Sequence, residues 1–355
     1  MKVLIIQQKM IGDVLTSSIL FEAIKYKYPD ATLHYVINSH TYPVVEHNPF
    51  IDQFHFFTQE HEKSKRELWQ FAKAIRKEHF DVVIDVYSKY SSNLISLLSG
   101  AKTKISKYKW YTSFIYSHTY EDKTTSQTNA GLAIENRLQL LYPLNIDNSK
   151  IIRPKIYLTD KEKVLAKKVL ETNHIDLKKP VYMIGVLGSG QAKTYPFDYM
   201  AKIIDTIVSN EPKSQILFNY IPNQKGDAKA IYNLCTPQTQ KQIYFEIFGS
   251  SLREFLALTS HCEALIGNEG GATNMAKALG IPTFTIFAPW IMKEAWNMFD
   301  NDQTHISVHL NDYDANLYQD VEDPKALKSR STAYYEKFRP SFFKDKLVQF
   351  VNGLD

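Results

Sequence analysis

Short apolar runs alternate with longer stretches of helical period along most of the chain. Runs at residues 3–7, 32–37, 53–57 and 81–86 predict buried strands. Between and after them, residues 14–28, 65–78, 91–98 and 130–142 carry apolar side chains at helical spacing. The first of these places Val14, Leu15, Ile19, Phe21 and Ile24 on one face and stops at Pro29. Around 146–158 the composition turns to Asn, Asp and Lys with Arg153 and Pro154, which predicts a linker. A second series follows a helix at 159–173. Its strands are predicted at 181–187, 215–219, 242–246, 264–267 and 283–287, and its helices at 196–209, 227–235, 252–260 and 272–279. Strands alternating with helices imply an α/β fold with parallel, doubly wound sheets. The expected division is 1–155, 156–330, and a mostly helical closing segment, 331–355, packing back on the first half.

The most informative stretch is 264–289, a strand–helix–strand unit of the kind that makes a parallel crossover. Its joint, Asn268-Glu269-Gly270-Gly271, lies between a strand end and a helix start. Two glycines there admit a ligand to the backbone, and free N–H groups of a helix start favour an anion. Glu269 repels phosphate but accepts hydrogen bonds from hydroxyls. The joint reads either as a tight αβ connection or as a site for a molecule bearing both hydroxyls and phosphates.

Similar choices attend the other chemistry-bearing positions. Asp13 follows the first strand, at the edge where such sheets bind ligands, at or near a helix start that it is also suited to cap. Asp85 closes the strand at 81–86 and either binds the acceptor, supports residues that do, or only caps the next helix. Residues 101–116 interleave Lys102, Lys104, Lys107 and Lys109 with Tyr108, Trp110, Tyr111, Phe114 and Tyr116. That mixture suits anionic lipid headgroups or a phosphorylated glycan, and equally a strand edge guarded by lysines. Residues 119–129 read as a mobile polar loop. In the second half, Gly188-Ser189-Gly190 leads through Lys193 to Pro196, so Lys193 is either a cation for a diphosphate or a solvated lysine.

Composition narrows the class. The 355 residues are 44% hydrophobic and 23% charged, a soluble globular balance long enough for two domains. No apolar run approaches the ~18 residues of a membrane span, and residues 3–6 are too short for a signal-peptide core. Cys235 and Cys262 form no metal pattern. The expected location is cytoplasmic. A net charge of +4 argues against a dedicated nucleic-acid protein while permitting contact with an anionic surface.

Met10-Ile11-Gly12-Asp13-Val14-Leu15 after the first strand, Lys193-Thr194-Tyr195-Pro196, and the run from Gly267-Asn268-Glu269-Gly270-Gly271 through Gly280-Ile281-Pro282 to Phe287-Ala288-Pro289 resemble the signatures of glycosyltransferase family 9. That family contains the ADP-heptose:lipopolysaccharide heptosyltransferases. The resemblance implies a GT-B fold of two Rossmann-like domains, acceptor on the first and nucleotide-sugar on the second. It implies Asp13 as catalytic base; Gly12 beside it, Asp85 at its strand end, and Lys107 and Lys109 of the basic stretch are then expected toward the acceptor. Gly188, Ser189, Lys193, Glu269, Gly270, Gly271 and Asn274 would then hold the donor. The implied reaction is an inverting transfer without metal or other cofactor, from an ADP-heptose-like donor to an anionic glycolipid, with peripheral contact at the inner membrane face. Several positions depart from the family pattern, which usually has Asp at Glu269, Ser or Thr at Gly270, His at Asn274, Thr at Trp290 and an acid at Gln224.

Three other readings compete. Gly185 to Gly190 loosely echoes a nicotinamide-binding turn, but the strand at 215–219 ends in Asn-Tyr rather than an acid. Asp312-Tyr313-Asp314 has the form of a metal-binding triplet within a polar segment. A catalytically inactive member of the fold would serve as a nucleotide-sugar or glycan binding protein.

Overall fold

The computed structural model describes residues 1–147, 151–319, 321 and 324–354. The chain forms two compact units, Met1–Tyr157 and a second from Leu158 onward. Asn148, Ser149 and Lys150, inside the expected linker, lie outside the described residues.

The first unit holds a six-stranded parallel sheet in the order β3-β2-β1-β4-β5-β6. The strands are β1 (Lys2–Ile6), β2 (Thr32–Asn38), β3 (Gln53–Phe57), β4 (Val82–Asp85), β5 (Thr103–Lys107) and β6 (His118–Tyr120). Val3, Leu4, Ile5 and Ile6 are fully buried, as a strand covered on both faces requires. Strand β5 escapes a reading by apolar runs because lysines alternate with its buried Ile105. The helix expected at 14–28 starts earlier and is broken. Ile11–Ser17 and Ile19–Lys27 meet at Ser18, whose hydroxyl bonds the Leu15 carbonyl at 2.7 Å in competition with the helix ladder. The segment 119–129 is not a free loop either. Strand β6 takes its start, and Ser126, Gln127 and Thr128 all donate to the Glu135 carboxylate.

The second unit holds a five-stranded parallel sheet in the order β11-β10-β9-β7-β8. These are β7 (Val181–Gly185), β8 (Gln215–Phe218), β9 (Ala264–Asn268), β10 (Thr283–Ile286) and β11 (His305–Val308). The strand expected at 242–246 reduces to a single bridge between Ile216 and Ile243. The fifth strand comes instead from His305–Val308, whose polar, short sequence gives little apolar signal. The closing segment departs from the expected division. Tyr335, Phe338, Phe343, Leu347 and Phe350 are buried in the core of this second unit. Aromatic packing explains the choice: Phe338 lies 5.8 Å from Tyr195 and Phe350 5.7 Å from Phe284, ring to ring. The Tyr195 hydroxyl also donates to the Phe338 carbonyl.

Candidate functional site

In a parallel sheet all the C-terminal strand ends fall on one edge, so the loops after β1 and β4 share it. After β1 the chain passes through buried Gln7 and Gln8 into the helix Ile11–Ser17. Gly12 is its second residue and Asp13 its third, within the first turn. One Asp13 oxygen accepts from the Met10 amide at 3.3 Å, which is the capping role. The other accepts from the Arg137 guanidinium at 2.8 Å. Arg137, on the helix Leu132–Leu138, is itself held by the Ser17 hydroxyl at 2.9 Å and the Ala133 carbonyl at 2.7 Å. The Asp13 side chain is 25% exposed, so a carboxylate fixed on two sides keeps an open face. Nothing in the linear pattern joins positions 124 residues apart, and sequence reasoning missed Arg137.

Lys107 and Lys109 stand at and just beyond the end of β5. Burial lowers the Lys107 ammonium; Asp122 opposes that, and Lys109, Arg137 and Lys89 add to it. Burial and then Lys89 act on Lys109 in the same direction. Lys107 is therefore close enough to feel Lys89, Lys109 and Arg137, and Lys109 to feel Lys89, an arrangement suited to an anion. Beside them a cavity of about 370 Å³ is lined by Gln8, Lys9, His61, Lys63, Lys65 and Lys89, among others. Glu62 occupies the Lys9 ammonium at 2.7 Å. The Gln8 amide nitrogen, on a residue 1% exposed, has no hydrogen-bond partner.

Asp85 corrects an expectation. It is fully buried, and its carboxylate accepts from the Ser88 amide at 2.7 Å and the Tyr116 hydroxyl at 2.6 Å. Burial pushes its pKa up. It is out of reach of an acceptor and ties the loop after β5 to the sheet.

The donor-side residues gather at the corresponding edge of the second unit. Gly188 is required by packing: a Cβ there would fall 2.1 Å from the Lys193 carbonyl oxygen. Its amide is spent on the Thr194 hydroxyl at 3.1 Å, so it is not offered to a ligand as expected. Ser189 and Gly190 remain exposed. The helix after this loop is Phe197–Asn210, with Pro196 as its N-cap rather than its first residue. Buried Asn268 ties the loop to the joint, accepting from the Tyr195 amide at 2.7 Å and donating to the Gly185 carbonyl at 2.9 Å.

That tie brings two predicted residues from different loops together. The Lys193 ammonium lies 2.9 Å from a Glu269 oxygen, with Glu269 only 8% exposed. Gly270 caps the helix Gly271–Ala278 with φ +151°, and a Cβ there would meet nothing within 4 Å, so the space beside the helix start is open. Asn274 sits half-buried in the first turn. Trp290 donates its indole N–H to the Ala192 carbonyl at 2.7 Å, and both Lys193 and Lys328 lie over its ring, at 5.6 and 5.2 Å. Lys328 carries no mark in the linear sequence. Asp312 of the acidic triplet pairs with Lys293 at 2.8 Å and accepts from the His309 amide. Among the described residues no three His, Cys, Asp or Glu side chains cluster as metal ligands.

Residues 68–326 match the family model for glycosyltransferase family 9 (heptosyltransferase). The chain belongs to that family. It is 25% identical over 296 residues to lipopolysaccharide heptosyltransferase 1 of Campylobacter coli, covering 81% of this chain and 84% of the relative. Among solved structures, the family 9 glycosyltransferase of Veillonella parvula DSM 2008 superposes with a TM-score of 0.75 at 14% identity, over 95% of this chain and 96% of the other. The E. coli heptosyltransferase WaaC, solved with ADP, gives a TM-score of 0.67 at 14% identity, over 94% of this chain and all of the other. The fold of this glycosyltransferase is therefore GT-B. Among its described residues no helix is long and apolar enough to cross a membrane.

Proposed function

We propose that this glycosyltransferase moves heptose from ADP-heptose to an anionic lipopolysaccharide-core acceptor presented at the inner face of the inner membrane. The observation that carries the reading is the Lys193–Glu269 pair at the start of the helix Gly271–Ala278. A cation and a carboxylate at one sheet edge match a ligand with a diphosphate and hydroxyls together. The relative solved with ADP and the lipopolysaccharide heptosyltransferase of C. coli support the choice of nucleotide and acceptor.

The acceptor hydroxyl oxygen forms a bond to the anomeric carbon while the bond from that carbon to the diphosphate oxygen breaks, and its electron pair leaves with ADP. Asp13 takes the hydroxyl proton on its open face. Direct displacement from the opposite side inverts the anomeric configuration. Lys193, Lys328 and the helix start at Gly270-Gly271 stabilise the departing charge, and this proposed step is metal-independent. Lys107, Lys109 and the lysines around Gln8 hold the acceptor's anionic groups.

A thermal-shift panel with ADP, UDP, GDP, CMP and NAD, each with and without magnesium, tests the donor. At ~100 times its dissociation constant a ligand adds about 2.7 kcal/mol, a shift of roughly 5–11 °C. ADP is expected to stabilise the protein without magnesium, and Lys193→Met to cut that shift to about half or less at the same ADP concentration. A response to NAD alone overturns the reading, and turnover abolished by EDTA overturns the metal-independent step.

A further inference from the structure

The loop between β5 and β6 exposes aromatic side chains that a folded domain normally hides. Trp110 and Phe114 are each 79% exposed, and Tyr108 and Tyr111 stand out beside them. Trp110 and Tyr111 pack edge to face, 5.6 Å between ring centres. The loop is not loose. Thr112 and Ser113 both donate to the Lys109 carbonyl, and Ile115 and Tyr116 close successive turns onto Thr112 and Ser113. Its base is buried: Tyr116 reaches inward to Asp85 and to Asn93, at 2.6 and 2.7 Å. The fold thus spends a buried carboxylate on holding an apolar tip in water.

Charge says what covers it. Residues 101–116 contain Lys102, Lys104, Lys107 and Lys109 and no acid. The Lys109 ammonium donates to the Ser88 carbonyl, which brings the loop against Lys89 and exposed Tyr90. A protein partner would meet a patch whose aromatics stand in a lysine-rich segment, with Asp122 the nearby acid that faces Lys107 and Lys109. A bilayer with anionic headgroups satisfies both at once, rings at the interface and ammoniums on phosphates.

We infer that the loop 108–116 is a membrane-docking element that seats Trp110 and Phe114 in an anionic bilayer surface. The inference rests on the proposed glycolipid acceptor and adds where the enzyme meets the membrane. Lys107, close enough to Arg137 to feel its charge, links this tip to the Asp13 site within the same unit.

Co-sedimentation of the full chain with phosphatidylcholine vesicles, alone and mixed with an equal part of phosphatidylglycerol, tests the inference. The wild-type chain is expected to bind the mixed vesicles and not the neutral ones. Trp110→Ser with Phe114→Ser should lower that binding about 10-fold or more, given the apolar area withdrawn from the interface. Each of Lys102→Gln and Lys104→Gln should lower it about 5-fold. The ADP thermal shift should stay unchanged in all of them. No binding by the wild type, or equal binding by the aromatic double variant, overturns the inference while leaving the ADP response to judge the proposed function separately. A wild-type dimer in solution that the aromatic double variant converts to monomer reassigns the loop to a protein interface and overturns it as well.

Discussion

Glu269 and Lys193 oppose one another toward the donor, and that opposition makes a sharp prediction. The Lys193 ammonium sits 2.9 Å from Glu269. A diphosphate oxygen on its other side, at an ordinary charged hydrogen-bond length, lies roughly 5–6 Å from the same carboxylate. With an effective dielectric constant of about 20, two unit anions at that separation repel by about 3 kcal/mol, which solvent and salt reduce to ~1–2 kcal/mol. Glu269→Gln removes this repulsion while keeping the side chain's shape, so ADP should bind about 10-fold more tightly. Lys193→Met removes a charged hydrogen bond worth about 1.5–3 kcal/mol and should weaken ADP by roughly 10- to 100-fold. For the intact sugar nucleotide the sign at Glu269 reverses, because Gln accepts fewer and weaker hydrogen bonds from the sugar hydroxyls. There kcat/KM should fall about 10-fold or more. Isothermal titration calorimetry with ADP and steady-state kinetics with ADP-heptose read the two quantities. Should Glu269→Gln weaken ADP as Lys193→Met does, Glu269 serves only to align the lysine, and the hydroxyl-binding role is refuted.

Asp13→Asn keeps the cap and most of the shape but cannot take a proton, so turnover should drop on the order of 100-fold or more with ADP affinity unchanged; turnover near wild type removes Asp13 as the base. Arg137→Lys cannot reproduce a fork that spans Asp13, Ser17 and Ala133, so it should lose nearly as much kcat as Arg137→Ala, and full rescue by lysine would reduce Arg137 to a point charge. Stability should fall with acid in a defined window. Burial, with His55 beside it at 2.8 Å, pushes His34 down to about 4, so the folded state binds fewer protons there than the unfolded one. The contribution is complete above the unfolded value near 6.5 and is lost as pH falls from there toward 4, about 2 kcal/mol of it by pH 5. Urea midpoints at pH 7.5 and 5 should diverge more in the wild type than in His34→Gln, and equal slopes would discard the assignment.

What can be read along the chain, and what cannot, divides by the range of the interaction. The alternating strands and helices, and the joint at Asn268–Gly271, are local: each depends on side-chain period or on a glycine required by its own backbone. Lys193 is legible because it precedes a helix in a glycine-containing loop. Its partner in space is legible because the joint is itself a motif. Arg137 has no such mark. It is one arginine on an ordinary amphipathic helix, and only the folding of that helix across the loop after β1 sets it on Asp13. Asp85 fails in the opposite sense. A carboxylate at a strand's C-terminal end looks the same whether it faces a ligand or the interior, and the deciding group, Tyr116, sits 31 residues away beyond another strand. The closing segment is hard to place because its aromatic stripe specifies that it must be buried, not against what. Tyr195 and Phe284, already in the second unit's core, supply the matching surface within their own unit. In this fold the residues proposed to touch the reacting groups sit at strand ends and helix starts, where local rules speak. The residues that orient them come from distant elements, so a sequence reading finds the chemistry sooner than the geometry that tunes it.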